Sequence, residues 1–236
     1  VTLTRSDFGK VIVFSATAVG DGLDESDPTD SAGYTFRSAV APTSVTVAQA
    51  GLTLTATPNL VTDTTVGTVT VQVGLGAPET VTPVGGVYAV TLTRSELGQN
   101  VTFAATANET GYPESDATSS DPFGFSAAAA PTAVTVTQSG LAFTAHITVG
   151  VGQSVGTVTV QVGTADPETV TPVSGNYVKT IDRSDIGKTV VFWATATQTG
   201  KAESSTTASS AFTSASAAAP TSVTVTQAGL VVTGHI

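Results

Sequence analysis

Cysteine and methionine are absent from the 236 residues, tryptophan occurs once and histidine twice. Without cysteine, disulfide staples and thiolate metal sites are excluded, so each folded unit must be held by its apolar core. Charged residues make up only 11% of the chain, and 8 basic residues against 18 acidic ones leave a formal charge of −10. That sign opposes the counterion release on which nucleic-acid binding depends, so no nucleic-acid partner is expected. No apolar run approaches the roughly 18 residues a spanning helix requires, and no membrane insertion is expected in this segment. With 40% hydrophobic residues the chain is not a polar disordered tail either.

Threonine, valine, alanine, serine and glycine dominate what is there, a mixture suited to a pleated, half-buried surface. The string Ala41-Pro42-Thr43-Ser44-Val45-Thr46-Val47 returns from Ala130 and again from Ala219, starts that lie 89 residues apart. A second marker, Arg5-Ser6-Asp7-Phe8-Gly9, recurs as Arg94-Ser95-Glu96-Leu97-Gly98 and Arg183-Ser184-Asp185-Ile186-Gly187 at the same step. Residues 41–129 and 130–218 align without a gap, and roughly half of the positions are identical. The expected organisation is the C-terminal part of a repeat at 1–40, complete repeats at 41–129 and 130–218, and the N-terminal part of a further repeat at 219–236. Boundaries are placed at the alanine-rich stretches Ala127–Ala130 and Ala215–Ala219, where the following proline stiffens the entry to the next copy. The partial copies are expected to be ordered only where a neighbouring chain, or the rest of a continuous fibre, completes them.

Period-two alternation runs through each repeat. In the first full copy Val45 and Val47, then Leu52, Leu54 and Ala56, then Val69, Val71 and Val73 fall on one face. Tyr88, Val90 and Leu92 follow, and then Val101, Phe103, Ala105 and Ala107. A weaker strand is expected near Phe123–Ser126, and Pro78 to Pro83 reads as a short edge strand, where proline is tolerated. About seven short strands in 89 residues, with no helical pattern, predict an all-β fold of tandem immunoglobulin-like β-sandwich domains.

The stretch Tyr177 to Thr197 (YVKTIDRSDIGKTVVFWATAT) joins an aromatic strand, an acidic-x-Gly-Lys corner and a strand ending in alternating alanine and threonine. It resembles the distal half of bacterial and bacteriophage immunoglobulin-like repeats of the BIg type. Such repeats stand in tandem in surface adhesins, secreted proteins and virion appendages. The resemblance implies a non-enzymatic stalk or fibre segment that spaces and presents other domains, extracellular and on a cell or virion surface. The other reading is an adhesive module that binds a cell-surface glycan or protein through exposed sheet faces. Neighbouring copies of the same chain or repeat are the remaining expected partners.

Few side chains suggest chemistry. His146 and His235 occupy one register position in different copies, where the first full copy has Thr57, so they cannot meet within one domain. No acid–histidine pair beside a serine is in evidence, and no catalytic residue is assigned. No cofactor is expected apart from calcium, for which Asp21, Asp24, Glu25, Asp27 and Asp30 supply clustered carboxylates in the first copy. That run thins to Glu114 and Asp116 in the next copy and to Glu203 in the last. Trp193 is expected to face outward, because its neighbour Phe192 matches the inward Phe103, and so offers a surface contact. The Arg-Ser-acid-apolar-Gly element reads as a sheet-crossing turn, its apolar residue plugging the core and its arginine pairing with the nearby carboxylate. Lys179 stands where the first copy has Val90 and is expected to snorkel outward.

Overall fold

A computed structural model of the chain describes residues 1–219, 221–228 and 230–235, and the side chain of His235 and the whole of Pro220 lie outside that set. The chain divides into two compact units, Val1–Ser126 and Ala127–Ile236.

Residues 1–40 form a hairpin of four short strands, β1 (Val11–Ile12), β2 (Ser15–Ala16), β3 (Thr29–Asp30) and β4 (Tyr34–Thr35). Here β1 pairs with β4 and β2 with β3. No strand covers residues 1–3, so this piece holds two strands of a sandwich, each in two parts.

The first full copy contains β5 (Ser44–Ala50), β6 (Thr53–Asn59), β7 (Thr65–Val73), β8 (Glu79–Thr80), β9 (Tyr88–Thr91), β10 (Asn100–Asn108), β11 (Thr118–Ser119) and β12 (Phe123–Gly124). One sheet has the order β5-β6-β9 and the other β11-β10-β7-β8, with β12 also on β10. All of these pairings are antiparallel. The short strand β8 joins β7 and not β9, so the sandwich is three strands against five, the larger sheet carrying the short strands β8, β11 and β12. The second copy repeats this plan with β13 (Ala133–Ser139), β14 (Ala142–Thr148), β15 (Ser154–Val162), β16 (Glu168–Thr169), β17 (Tyr177–Thr180), β18 (Thr189–Thr197), β19 (Thr207–Ala208) and β20 (Phe212–Thr213). A last antiparallel pair, β21 (Thr224–Ala228) and β22 (Val231–His235), ends the described chain. The fold is all-β and immunoglobulin-like.

Alternation translates directly into packing. On β10, Val101, Phe103, Ala105 and Ala107 are all fully buried, and the threonines between them are half-exposed. Val101, Phe103 and Ala105 share one core cluster with Val45, Leu54, Val69, Val71 and Leu92. Phe14, the register counterpart of Phe103, is 63% exposed in the N-terminal hairpin, because the opposite sheet is not part of residues 1–40. The last strand is less regular than the others, because serines do part of its pairing. Ser120 donates its N–H to the Phe103 carbonyl and accepts the Phe103 N–H on its hydroxyl. Ser115 does the same with Ala107, as Ser204 does with Ala196 and Ser209 with Phe192. Polar residues therefore hold a strand that a hydrophobic pattern shows only at Phe123–Ser126.

The two cores are filled differently. The first copy buries Leu54 and Phe125 completely. At the same positions the second has Phe143, also fully buried, and Ser214. Phe143 meets Phe212 edge-on at 5.6 Å between centroids. Ser214 turns its hydroxyl to the backbone, accepting from the Gly187 N–H at 2.9 Å. A large side chain thus sits on one strand in one copy and on another strand in the next. Ser214→Phe is expected to overpack the second core by about 1–3 kcal/mol, and adding Phe143→Leu should recover most of that loss in a urea-denaturation double-mutant cycle. Trp193, the single tryptophan, reports this unit by fluorescence.

Candidate functional site

Of the five acids in the first-copy run, Glu25 and Asp30 are hydrogen-bonded within the hairpin, from the Thr17 and Ser15 hydroxyls. Asp21, Asp24 and Asp27 are exposed. Among the described residues no three histidine or acidic side chains converge as a metal cage would require.

The one acid of the run that persists at the 89-residue step has a structural explanation. Glu25, Glu114 and Glu203 share a register position, as do Thr17, Thr106 and Thr195. In the first full copy the pairing of β7 with β10 slips between Ala105 and Ala107, so Gly67 and Thr68 together face Thr106. The Thr68 N–H, left without a ladder partner by that bulge, donates to Thr106 Oγ1 at 2.7 Å and to Glu114 Oε1 at 2.8 Å. Thr106 donates its own proton to Glu114 Oε1. The second copy repeats the arrangement around Gly156, with Thr157 N–H donating to Thr195 Oγ1 at 2.8 Å and Glu203 Oε1 at 2.9 Å. A Cβ on Gly67 would collide with the Glu114 carboxylate and the Thr106 hydroxyl, so the close approach requires glycine. These bonds, led by the Thr106 hydroxyl, hold the Glu114 carboxyl below its ordinary value. The sequence signal was present: the glutamate recurs in every copy while its acidic neighbours thin out.

The Arg-Ser-acid-apolar-Gly element is a single 3-10 turn leading from one sheet to the other. Leu97 packs against the first core, and Gly98 takes a φ of 91°, which favours glycine. The acid's role differs from the expected pairing with its own arginine. Asp7 accepts from the Thr4 N–H at 2.9 Å and pairs with Lys10 at 2.6 Å, which together bring its carboxyl down to about 2, the lysine contributing most. Arg5 reaches instead to Asp116, at 2.9 Å, and to the Glu114 carbonyl.

A second contact set joins the N-terminal hairpin to the first full copy, inside one compact unit. Arg37 holds Glu109 through two bonds of 2.9 and 2.7 Å and lies 3.7 Å over the Tyr112 ring. The Ala39 N–H donates to the Pro113 carbonyl at 2.8 Å. That backbone bond recurs within the second unit as Ala128 N–H to the Ala202 carbonyl, also at 2.8 Å. The alanine-rich connections are thus tied down by the backbone. The side-chain clamp is particular to the first, since the register counterparts of Arg37, Glu109 and Tyr112 are Ser126, Gln198 and Lys201.

His146 is exposed on β14, its Nε2 3.1 Å from the Thr137 hydroxyl. Trp193 lies half-buried on β18, facing Thr159 across the sheet on one side and Ala208 on the other. Lys179 does not snorkel out. It crosses from β17 to β16 and pairs with Glu168, closing the open side of the second sandwich. No helix among the described residues is long and apolar enough to cross a membrane.

No family model matches the chain, and no curated protein does. Among solved structures it is similar to the FN1–FN3 domains of chicken CNTN1, with 15% identity over 78% of this chain and 71% of that one, at a TM-score of 0.30. It is also similar to a segment of two fibronectin type-III domains from chicken tenascin, with 15% identity over 72% and 97%, at 0.32. A cytokine receptor complex matches with 14% identity over 74% and 98%, at 0.32. Scores this low carry no argument about the chain, whose fold class rests on the sheet topology above.

Glu114→Gln is expected to lower the stability of the first unit at neutral pH. Because the folded carboxyl is shifted down, its contribution is full above the unfolded value and is lost as pH falls through the folded one. The gap between wild-type and variant urea midpoints should therefore be open at pH 7 and close as pH falls through the lowered value of the folded carboxyl.

Proposed function

We propose that this chain is a non-enzymatic structural segment of an extracellular stalk or fibre, on a bacterial surface or a virion, that spaces and presents other domains. The observation that carries this reading is what recurs from copy to copy. The polar contacts kept at the 89-residue step build the sandwich and its connections: the glutamate over the bulge, the paired serines, and the backbone bonds from Ala39 and Ala128. The residues with chemistry to offer are not kept through the copies: Trp193 and the acids around Asp21 change identity, and the histidine at 146 and 235 is Thr57 in the first full copy. A load-carrying array needs the first kind of persistence and not the second. Short connections fastened by a backbone bond suit the transmission of length and tension.

Pulled end to end in an optical trap or atomic-force instrument, the chain is expected to give two equal unfolding steps. An extended residue spans at most about 3.3–3.6 Å, so an 89-residue copy that folds into strands about 30 Å long should release roughly 26–29 nm per step. One merged step, or unfolding without a force peak, would remove the stalk reading. Capture of immobilised glycans through Trp193, lost in Trp193→Ala, would favour the adhesive module instead.

A further inference from the structure

Each sandwich is open on the side where the short edge strand of the larger sheet faces the last strand of the smaller one. In the first full copy these are β8 and β9, and in the second β16 and β17. A crevice lies there in both copies, on equivalent residues. In the first it has a volume of about 480 Å³, an apolar floor of Val71, Val73, Val90 and Leu92, and two carboxylates at its mouth, Glu79 and Glu96. In the second it has shrunk to about 210 Å³.

At the position of Val90 the second copy has Lys179, which runs along the crevice and pairs with Glu168, the counterpart of Glu79. At the position of Gln99 it has Lys188, which pairs at 2.7 Å with Asp185, the counterpart of Glu96. The carboxylates are thus common to both copies, and both ammonium groups are missing from the first. Among the described residues, neither Glu79 nor Glu96 is in an ion pair. Glu96 accepts from the Thr93 N–H and hydroxyl through one oxygen, Oε2, leaving Oε1 as an acceptor.

The geometry points to the first-copy crevice as a receptor for a lysine side chain carried on an extended segment of a partner protein. The four-carbon stem lies on the valine and leucine floor, and the ammonium reaches Glu79 and Glu96. The second copy displays the bound state, with its own Lys179 as the occupant. Apolar stem and charged head match the two halves of the lining. The site is exposed, so added salt weakens it. The inference does not depend on the stalk reading.

The test is a titration of the whole ¹⁵N-labelled chain with the blocked tripeptide acetyl-valyl-lysyl-threonine amide, followed by amide chemical shifts. Saturable shifts are expected at Val71, Glu79, Val90 and Glu96 and not at Val160, Glu168 or Asp185. The norleucine version of the peptide should leave all of them still. Val90→Lys, which installs the side chain that the second copy already tolerates, should abolish the response. Lys179→Val combined with Lys188→Gln should create one at Val160, Glu168 and Asp185. Absence of saturable shifts in the unmodified chain, an equal response to norleucine, persistence in Val90→Lys, or silence of the second crevice in the double variant would each overturn the assignment.

Discussion

Everything in this fold depends on two small sheets being pressed together by side chains that have no cross-link to help them. With no cysteine anywhere, the contact between the β10 face, from Val101 to Ala105, and the opposite sheet carries the first copy. In the second copy the β18 face, from Val190 to Ala194, does the same. Such a core transmits any change in volume to its surroundings, because interiors are packed as densely as organic crystals. The N-terminal hairpin illustrates the same point from the other direction. It has the same alternation and the same Phe14, yet with one sheet alone that ring stays mostly in water.

Apolar alternation cannot position strands along their length or finish the irregular last strand. Polar groups do this, and the recurring glutamate and serines each have a backbone group to satisfy. The glutamate at 25, 114 and 203 covers the N–H that a bulge orphans in the two full copies, where glycine on the bulged strand gives it room. The serines add bonds to a last strand whose ladder is broken into two short pieces. Buried or half-buried donors left without acceptors would cost more than these bonds gain in isolation, so these residues change less than the solvent-facing acids.

Much of this architecture was legible in the order of residues. The strands at Val45, Leu54, Val69, Tyr88 and Phe103 announce themselves by period two, and the edge strand between Pro78 and Pro83 by its prolines. The broken last strand was legible only at its apolar end, because Ser115 and Ser120 pair through hydroxyls that leave no hydrophobic trace. Arg5 was misassigned for a related reason. The acid beside it in sequence turns back to cap its own 3-10 turn, and the arginine finds an acid in the next copy. Lys179 was read as a solvent-seeking side chain, since nothing in a linear sequence places Glu168 across the gap. The crevice itself becomes visible only when the two copies are laid on one another.

The exchange of bulk between the two cores has a consequence for how neighbouring copies fold. Tandem repeats that share half their residues can trade strands, and misassembly between adjacent units is a characteristic failure of repeat proteins. A hybrid combining the strand of Leu54 with that of Ser214 would enclose a void. One combining the strands of Phe143 and Phe125 would force two rings into the space of one. A void costs stability and so does overpacking, so the divergence of these four positions is expected to favour pairing of strands from the same copy.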